Sequence, residues 1–543
     1  MTAPWKRRGA SGLFPALVVV LGSSASALVL GFFKNILAAF YYGTSGAMDA
    51  YLMALLLPDV AMQFARTGAF NFIPLFAAER QRSEAEAWQA AGKMLSYWLL
   101  LLAGTLLLVY LLAPLALTLL ARGYGPEQRA ATLELIQILL VMAATMGTGK
   151  ILGVVLHGER RFLMAGLSEV AFQLGSMAFL IAYHGLGIRA LAWAQVFGGS
   201  LQLLVASCGL FTNRRLLRAG LDLGSAPVRR MIRLSLPVYL GDSGDKINLV
   251  VTRAFGSLLP AGAISALQYG YTPVEGLHRM FAGPLATALF PFLSRRFAEG
   301  DPRRARTTLG RTVVLAAVVF LPLTAVAWLF SHQIVVLIFQ RGSFDVESTL
   351  LTSSALRLFA PSVFALALNE LLASSFHARQ DTMVPMRAGL VRVVCSTALC
   401  ALLIPSLGHR GIALATTLSL YVKLLVLGFC LRRVFEAAEL RRQMRVLGRV
   451  LLAAAVMTAA VYPLSVFATS EPPFANHALR TLTGLGLVCL LVYAAALRVF
   501  ARRPFVLTVA LVRRVLLRRW LQGAPRKAAP GLAGRAKKGE VRP

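Results

Sequence analysis

The sequence predicts an all-α polytopic membrane protein with about 14 transmembrane helices. These form two six-helix lobes related by an axis along the membrane normal, plus two extra C-terminal helices. Three observations predict this class. Of 543 residues, 57% are hydrophobic and only 15% are charged, against roughly a quarter charged in a soluble domain. Apolar runs of bilayer-crossing length recur along the chain. Two parts of the chain echo each other in order.

The mean hydropathy of +0.68 excludes a soluble enzyme, a disordered tail protein and a disulfide scaffold. The net charge of +33 superficially suggests nucleic acid. A nucleic-acid binder, however, carries its basic residues on a polar, soluble surface, and here they sit between apolar runs. No nucleic-acid partner is expected. The five cysteines (Cys208, Cys395, Cys400, Cys430, Cys489) lie in or beside apolar segments without a CxxC pair, and read as small buried hydrophobes.

A hydrocarbon core needs roughly 20 apolar residues per helix. That ruler gives spans near 13–33, 47–75, 94–119, 132–156, 163–183, 190–211, 234–257, 263–292, 312–340, 350–376, 386–404, 411–430, 450–468 and 481–499. The first run has no small-x-small site followed by a polar mature domain, so it reads as an uncleaved helix. With the N-terminus cytoplasmic, Lys and Arg favour the cytoplasmic connections over the outer loops by about six to one, as the positive-inside rule requires. Both termini are therefore expected in the cytoplasm. The resulting division is a cytoplasmic N-terminus (1–12), an N-lobe (13–211), a basic cytoplasmic linker (212–233), a C-lobe (234–430), helices 13 and 14 (431–499), and a basic amphipathic segment with a disordered cytoplasmic tail (500–543).

The duplication pairs GAMDAYLMALLLP at Gly46 with GAISALQYGYTP at Gly262. It also pairs FNFIPLFAAER around Pro74 with TALFPFLSRRF around Pro291, the HGERRF and HARQDT segments at His157 and His377, and IRALAWAQ at Ile188 with GIALATTLS at Gly411. Four weak matches in one order, with slowly drifting offsets, indicate a repeat. An even number of spans per repeat gives both the same orientation, and such repeats pack around an axis along the membrane normal.

An ionisable residue at mid-bilayer costs roughly 2.5–3.5 kcal/mol on insertion scales, so it faces a partner or a wet cavity. These residues concentrate on spans one, two, seven and eight, the leading pairs of the two repeats. Lys34, Arg66, Lys246, Arg253 and Arg279 are the candidate substrate-binding cations. Asp49, Asp59, Asp242, Asp245 and Glu275 are the candidate gating or ion-coupling carboxylates. Asp242, Asp245 and Lys246 equally read as an internally neutralised structural cluster. Arg357, Glu370 and Lys423 read as structural pairs or interface positions. No HExxH, nucleotide-binding glycine loop or large extracytoplasmic acidic loop is present. The expectation is a transporter with no enzymatic activity, no cofactor and no metal.

Several segments resemble the MurJ/MviN lipid II flippase family of the multidrug/oligosaccharidyl-lipid/polysaccharide exporter superfamily. They are LVLGFFKNILAAFYYGTSGAMDAYLMALLLPD, ARTGAFNFIPLFAAER, ISALQYGY, PLATALFPFLSRRFAEGD, VLIFQRGSFDVEST and FHARQDTMVPMR, together spanning most of 20–430. The resemblance implies fourteen helices, the last two forming a lipid-facing groove. It also implies flipping of undecaprenyl-pyrophosphate-linked peptidoglycan precursor (lipid II) by alternating access in the bacterial cytoplasmic (inner) membrane, with anionic lipids and the cell-wall synthesis machinery as partners. Flipping of another polyprenyl-linked oligosaccharide (O-antigen or exopolysaccharide), and a non-transporting envelope scaffold, are the alternatives.

The family's cavity residues carry over unevenly. Its Arg-Asp pair on the first helix aligns with Lys34 and Asn35, and an earlier arginine with Leu28. The acidic residue of the second helix is kept as Asp49. The double arginine of that helix becomes Met62 and Gln63, with Arg66 one turn on. The arginine of the eighth helix aligns with Thr272, and its glutamate is kept as Glu275. A sodium site of some members aligns with Thr252, Ser396, Cys400 and Thr416, without a carboxylate. Pyrophosphate wants several cationic donors. Arg66, Lys246 and Arg279 are expected to contact it, with Asp49 and Glu275 in gating or ion coupling.

Overall fold

The computed structural model describes residues 13–81, 83–211, 229, 233, 244–432, 437–469, 475–502 and 506. At 13–21, 64–71, 74, 78, 302, 437–441, 467–469 and 475–477 it describes the backbone alone. The N-terminus 1–12, Asp242, nearly all of the 212–233 linker and the amphipathic tail therefore lie outside the described residues, as does the Arg66 side chain.

Among the described residues every regular element is helical. The first repeat comprises α1 (Leu13–Tyr42), α2 (Gly46–Arg80), α3 (Glu84–Leu120), α4 (Pro126–Gly158), α5 (Phe162–Tyr183) and α6 (Ile188–Leu210). The second begins with α7 (244–256) and α8 (Ala263–Leu277), which runs through a π turn (His278–Ala282) into α9 (Gly283–Ala298). It continues with α10 (Pro302–Leu329), α11 (Ser331–Phe339), α12 (Val346–Phe359), α13 (Ser362–His377), α14 (Met383–Leu407) and α15 (His409–Arg432). Helices α16 (Ala437–Thr469) and α17 (Ala475–Phe500) follow.

Single spans of the sequence reading are broken here for local reasons. Span ten becomes α12 and α13, bent by 43°, because Pro361 offers no amide to continue the ladder. The Asp345 carboxylate accepts the Ser348 N–H at 2.8 Å and starts α12. Asp301 does the same for Arg304 at 3.1 Å, with Pro302 opening α10.

Helix pairing repeats between the halves. In the first, α2 packs on α3 and α4, α3 on α4, α4 on α6, and α5 on α6. In the second, α8–α9 packs on α12–α13 and α10, α10 on α13, α13 on α15, and α14 on α15. The α4–α6 crossing is tight: a Cβ on Gly199 would fall 2.6 Å from Thr145 Oγ1. Small residues permit such close approach where lipid gives no hydrophobic push. Helices α16 and α17 pack on each other and on α10 and α11.

Ten described helices are long and apolar enough to cross a membrane, and eleven with the bent α12–α13 pair. Against the fourteen expected spans, α2, α7 and α8–α9 do not meet that criterion. Only thirteen residues of α7 are described, and the α2 side chains at 64–71 lie outside the described residues, whereas α8–α9 is too polar. The outer stripe of α3 shows the opposite chemistry, with Leu107, Leu111 and Leu115 each more than half exposed. An apolar stripe at i, i+4, i+8 is a lipid-facing surface.

Candidate functional site

The polar helices face inward. A cavity of about 760 Å³ lies between the lobes, walled mainly by α1, α2, α7 and α8. Of the ten residues singled out from sequence, seven line it: Lys34, Asp59, Asp245, Lys246, Arg253, Glu275 and Arg279. Asp49 lies elsewhere, and Asp242 and the Arg66 side chain are outside the described residues.

Helices α2 and α7 run antiparallel across the lobe interface and are joined at two polar rungs. Arg253 on α7 donates to the Leu52 carbonyl and, at 3.2 Å, to Gln268 Oε1. Two turns away, Lys246 pairs with Asp59, each side chain 27% exposed. Seven residues separate the contacts on both helices, which is about 10 Å of helix. Gln268 is the repeat counterpart of Leu52, so Arg253 reaches equivalent positions of both lobes.

At one end, the connections close the interface. The Ser343 N–H donates to the Phe40 carbonyl at 2.8 Å. Thr44 and Ser348 hydroxyls meet at 2.7 Å, and Ser257 Oγ donates to the Leu120 carbonyl at 3.0 Å. Asp49, 3% exposed, accepts the Gly262 and Ser265 amides at 2.7 Å each. A carboxylate from α2 thus caps the first turn of α8 in the other lobe, where the helix dipole favours negative charge. Ser265 is also the repeat counterpart of Asp49, so the internal axis passes between the two residues. Gly262 adopts φ +90°, and a Cβ there would lie 2.8 Å from the Thr44 carbonyl oxygen. A side chain would meet both left-handed strain and collision.

The C-lobe wall holds a cluster only partly visible in the sequence. Arg392 on α14 pairs with Asp245, and Lys423 Nζ lies 4.0 Å from the same carboxylate oxygen. Asp245 is 66% exposed, whereas Arg392 and Lys423 are 7% and 17% exposed behind it. Asp245 and Lys246 therefore pair outward, to different helices, instead of neutralising each other. Arg392 was missed because, two turns into its span, it resembles one more basic residue of the cytoplasmic collar. Lys423 lies behind Asp245, and the Arg357 guanidinium sits 4.5 Å over the Trp328 ring.

Arg279 and Glu275 pair at 2.6 Å across one helical turn, both substantially exposed, at the start of the π turn. Lys34 donates to Gln195 Oε1 at 3.1 Å and lies 4.7 Å over the Phe172 ring, and Gln195 in turn donates to the Tyr51 hydroxyl at 2.9 Å. Five cations and three carboxylates line the cavity, a net positive interior. Lys246, Arg279 and Arg392 have carboxylate partners. Lys34 and Arg253, on the two repeat-equivalent leading helices, are held by neutral acceptors instead. Such a wall binds polyanions through charge-assisted hydrogen bonds.

The positions aligned with a sodium site supply hydroxyls and a thiol. Ser396 and Cys400 are fully buried, Thr416 is 7% exposed, and Thr252 donates to its own helix at 3.0 Å. Among the described residues no three His, Cys, Asp or Glu side chains converge as a metal site.

Comparison with known proteins gives this arrangement a lineage. Residues 38–479 match the family model described as lipid II flippase MurJ. A probable lipid II flippase MurJ of Rhizobium tropici is 28% identical over 74% of this chain and 78% of its own. That of Rhizobium meliloti is 27% identical over 89% and 93%, and the lipid II flippase MurJ of Burkholderia cenocepacia is 24% identical over 82% and 89%. Among solved structures, a lipid II flippase MurJ in an inward closed conformation superimposes with TM-score 0.73 at 20% identity, covering 89% of this chain and 99% of that one. An inward-facing multidrug-resistance MATE transporter gives TM-score 0.61 at 16% identity over 75% and 94%. These two share the fold. With its family model matched over most of its length, the chain belongs to the lipid II flippase MurJ family.

Proposed function

We propose that this chain flips lipid II, the undecaprenyl-pyrophosphate-linked peptidoglycan precursor, from the inner to the outer leaflet of the bacterial cytoplasmic membrane. The observation that carries the reading is a net cationic cavity between two repeat lobes, in a chain matching the family model over residues 38–479. The protein is multi-pass with both termini cytoplasmic. The sealed end then faces outward, and the headgroup enters from the cytoplasmic side. Anionic lipids meet the basic cytoplasmic collar, and the cell-wall synthesis machinery receives the product.

Within the cavity, Lys34 and Arg253 supply positive charge held by hydrogen bonds to neutral acceptors. Lys246 and Arg279, with Arg66 further along α2, complete the set that receives the pyrophosphate. Asp49 and Glu275 act in gating. Exchange between two lobe arrangements carries the headgroup across while the polyprenyl tail stays in lipid along α16 and α17.

The test is rescue of a strain whose own lipid II flippase is conditionally depleted, together with movement of labelled lipid II in liposomes. Growth and movement above empty vesicles are expected. Movement of a different polyprenyl-linked saccharide without lipid II would overturn the substrate, and no movement of either would indicate a scaffold.

A further inference from the structure

We propose that Asp59 and Asp245 are place-holding anions, each seated on a cation that a phosphate group of the substrate takes when it loads. The proposal rests on the polyprenyl-pyrophosphate reading above and names the residues that make the empty cavity wait for its cargo.

The geometry begins with two neighbouring residues of α7. Lys246 reaches across the lobe interface to Asp59 on α2, and Asp245 reaches back into its own lobe to Arg392 and Lys423. Adjacent residues of opposite charge thus bind α7 to both lobes. The four charges form an alternating row, Asp59, Lys246, Asp245, Arg392, and every member lines the cavity.

Exposure distinguishes the anion from its cations at the Asp245 end of this row, whereas Asp59 and Lys246 are equally half-buried. Asp245 is 66% exposed, while its guanidinium partner is 7% exposed and the Lys423 ammonium 17%. The carboxylate lines the cavity and the cations form the floor behind it. Arg392 also has a buried Nε without a hydrogen-bond partner among the described residues, so one carboxylate does not satisfy it. A partly buried cation tolerates exchange of one anion for another far better than it tolerates loss of its partner. A phosphate oxygen meets that need, and it carries more charge and more acceptor positions than a carboxylate.

Exchange has a mechanical result. When phosphate displaces Asp59 from Lys246, the inner rung between α2 and α7 is released, leaving the Arg253–Leu52 rung and the sealed end between these helices. When phosphate displaces Asp245, the ion-pair tie of α7 to α14 and α15 is released. Loading and unlocking are then one event, and an empty carrier keeps its lobes tied. Neutral ligands have no means of opening the row, so the same feature selects for anionic headgroups.

The test uses the full chain in nanodiscs with undecaprenyl pyrophosphate as the probe, comparing wild type with Asp59→Asn, Asp245→Asn, Lys246→Gln and the exchanged pair Asp59→Lys/Lys246→Asp. Removing a competing carboxylate should tighten binding about fivefold per site, the factor equivalent to ~1 kcal/mol. Lys246→Gln should weaken binding. The exchanged pair should restore the tie between lobes, read as spin-label distance between α2 and α7. Equal or weaker probe binding by both Asp→Asn variants, with wild type binding normally, would overturn the place-holder proposal alone. Failure of the wild type to bind the probe would overturn the functional reading beneath it as well.

Discussion

Replacing Asp49 by alanine should unseal the closed end of the molecule. Its carboxylate accepts two amides of the opposite lobe, Gly262 and Ser265, both at 2.7 Å, from a position 3% exposed. Hydrogen bonds to a charged group contribute about 1.5–3 kcal/mol each. Placement at the start of α8 adds a dipole contribution of ~0.3–1 kcal/mol. Alanine leaves both amides buried without an acceptor in the sealed state, whereas separation of the lobes would hydrate them. The loss therefore falls on the sealed state alone. Discounted for relaxation it is about 3 kcal/mol, a shift in the sealed-to-open equilibrium on the order of 100-fold. Asparagine keeps one acceptor oxygen and no charge, and should give a shift on the order of tenfold.

The assay is labelling of Leu55→Cys, on the cavity wall, by an impermeant maleimide added at the sealed side, with the five native cysteines replaced. When opening is fast, the labelling rate follows the open fraction. Rates should rise in the order wild type, Asp49→Asn, Asp49→Ala. Equal rates in all three, in variants that keep their thermal stability, would refute the latch.

Three further outcomes are expected. Gly262→Ala should raise the same labelling rate without changing any charge, because its φ of +90° and the 2.8 Å approach of the Thr44 carbonyl burden the sealed state by on the order of 1–3 kcal/mol. Lys34→Ala should slow lipid II movement in liposomes by at least about tenfold, the loss of one charged hydrogen bond, while Lys34→Arg retains most of the rate. Asp345→Ala should cost about 1 kcal/mol of stability by uncapping α12. The Ser348 amide, then its hydroxyl, holds the Asp345 carboxyl below its ordinary range. The wild-type advantage in Tm should therefore be complete above about pH 4 and fade as pH falls through the lowered folded value.

The fold was legible because bilayer thickness, loop charge and repetition each leave a mark in composition. The cavity was legible for a related reason: charges on α1, α2, α7 and α8 have no place in lipid. The pairings were less accessible. Nothing local in the sequence says that Asp245 turns to α14 while Lys246 turns to α2, since that depends on the rotation of α7 between two lobes. Arg392 sits near enough to the end of its helix to pass for an interfacial anchor, and only packing shows it buried. Asp49 was legible as a candidate gating carboxylate, but its partners, the Gly262 and Ser265 amides of the other lobe, were not. A side chain that satisfies distant backbone amides carries no sequence signature of its partner.

The meeting of Asp49 with its own repeat counterpart, Ser265, bears on how such a chain arises. An ancestral pair of identical six-helix units would set the same side chain on both sides of the dyad. Two aspartates would face each other as like charges, and two serines would leave both helix starts weakly held. Fusion of the units into one polypeptide removes that constraint, because each copy is then free to change alone. In this chain one half carries the acid and the other presents the amides that receive it. The two halves fit each other as lock and key, so a duplicate of either in place of its twin would lose the carboxylate-to-amide contact at the closed end.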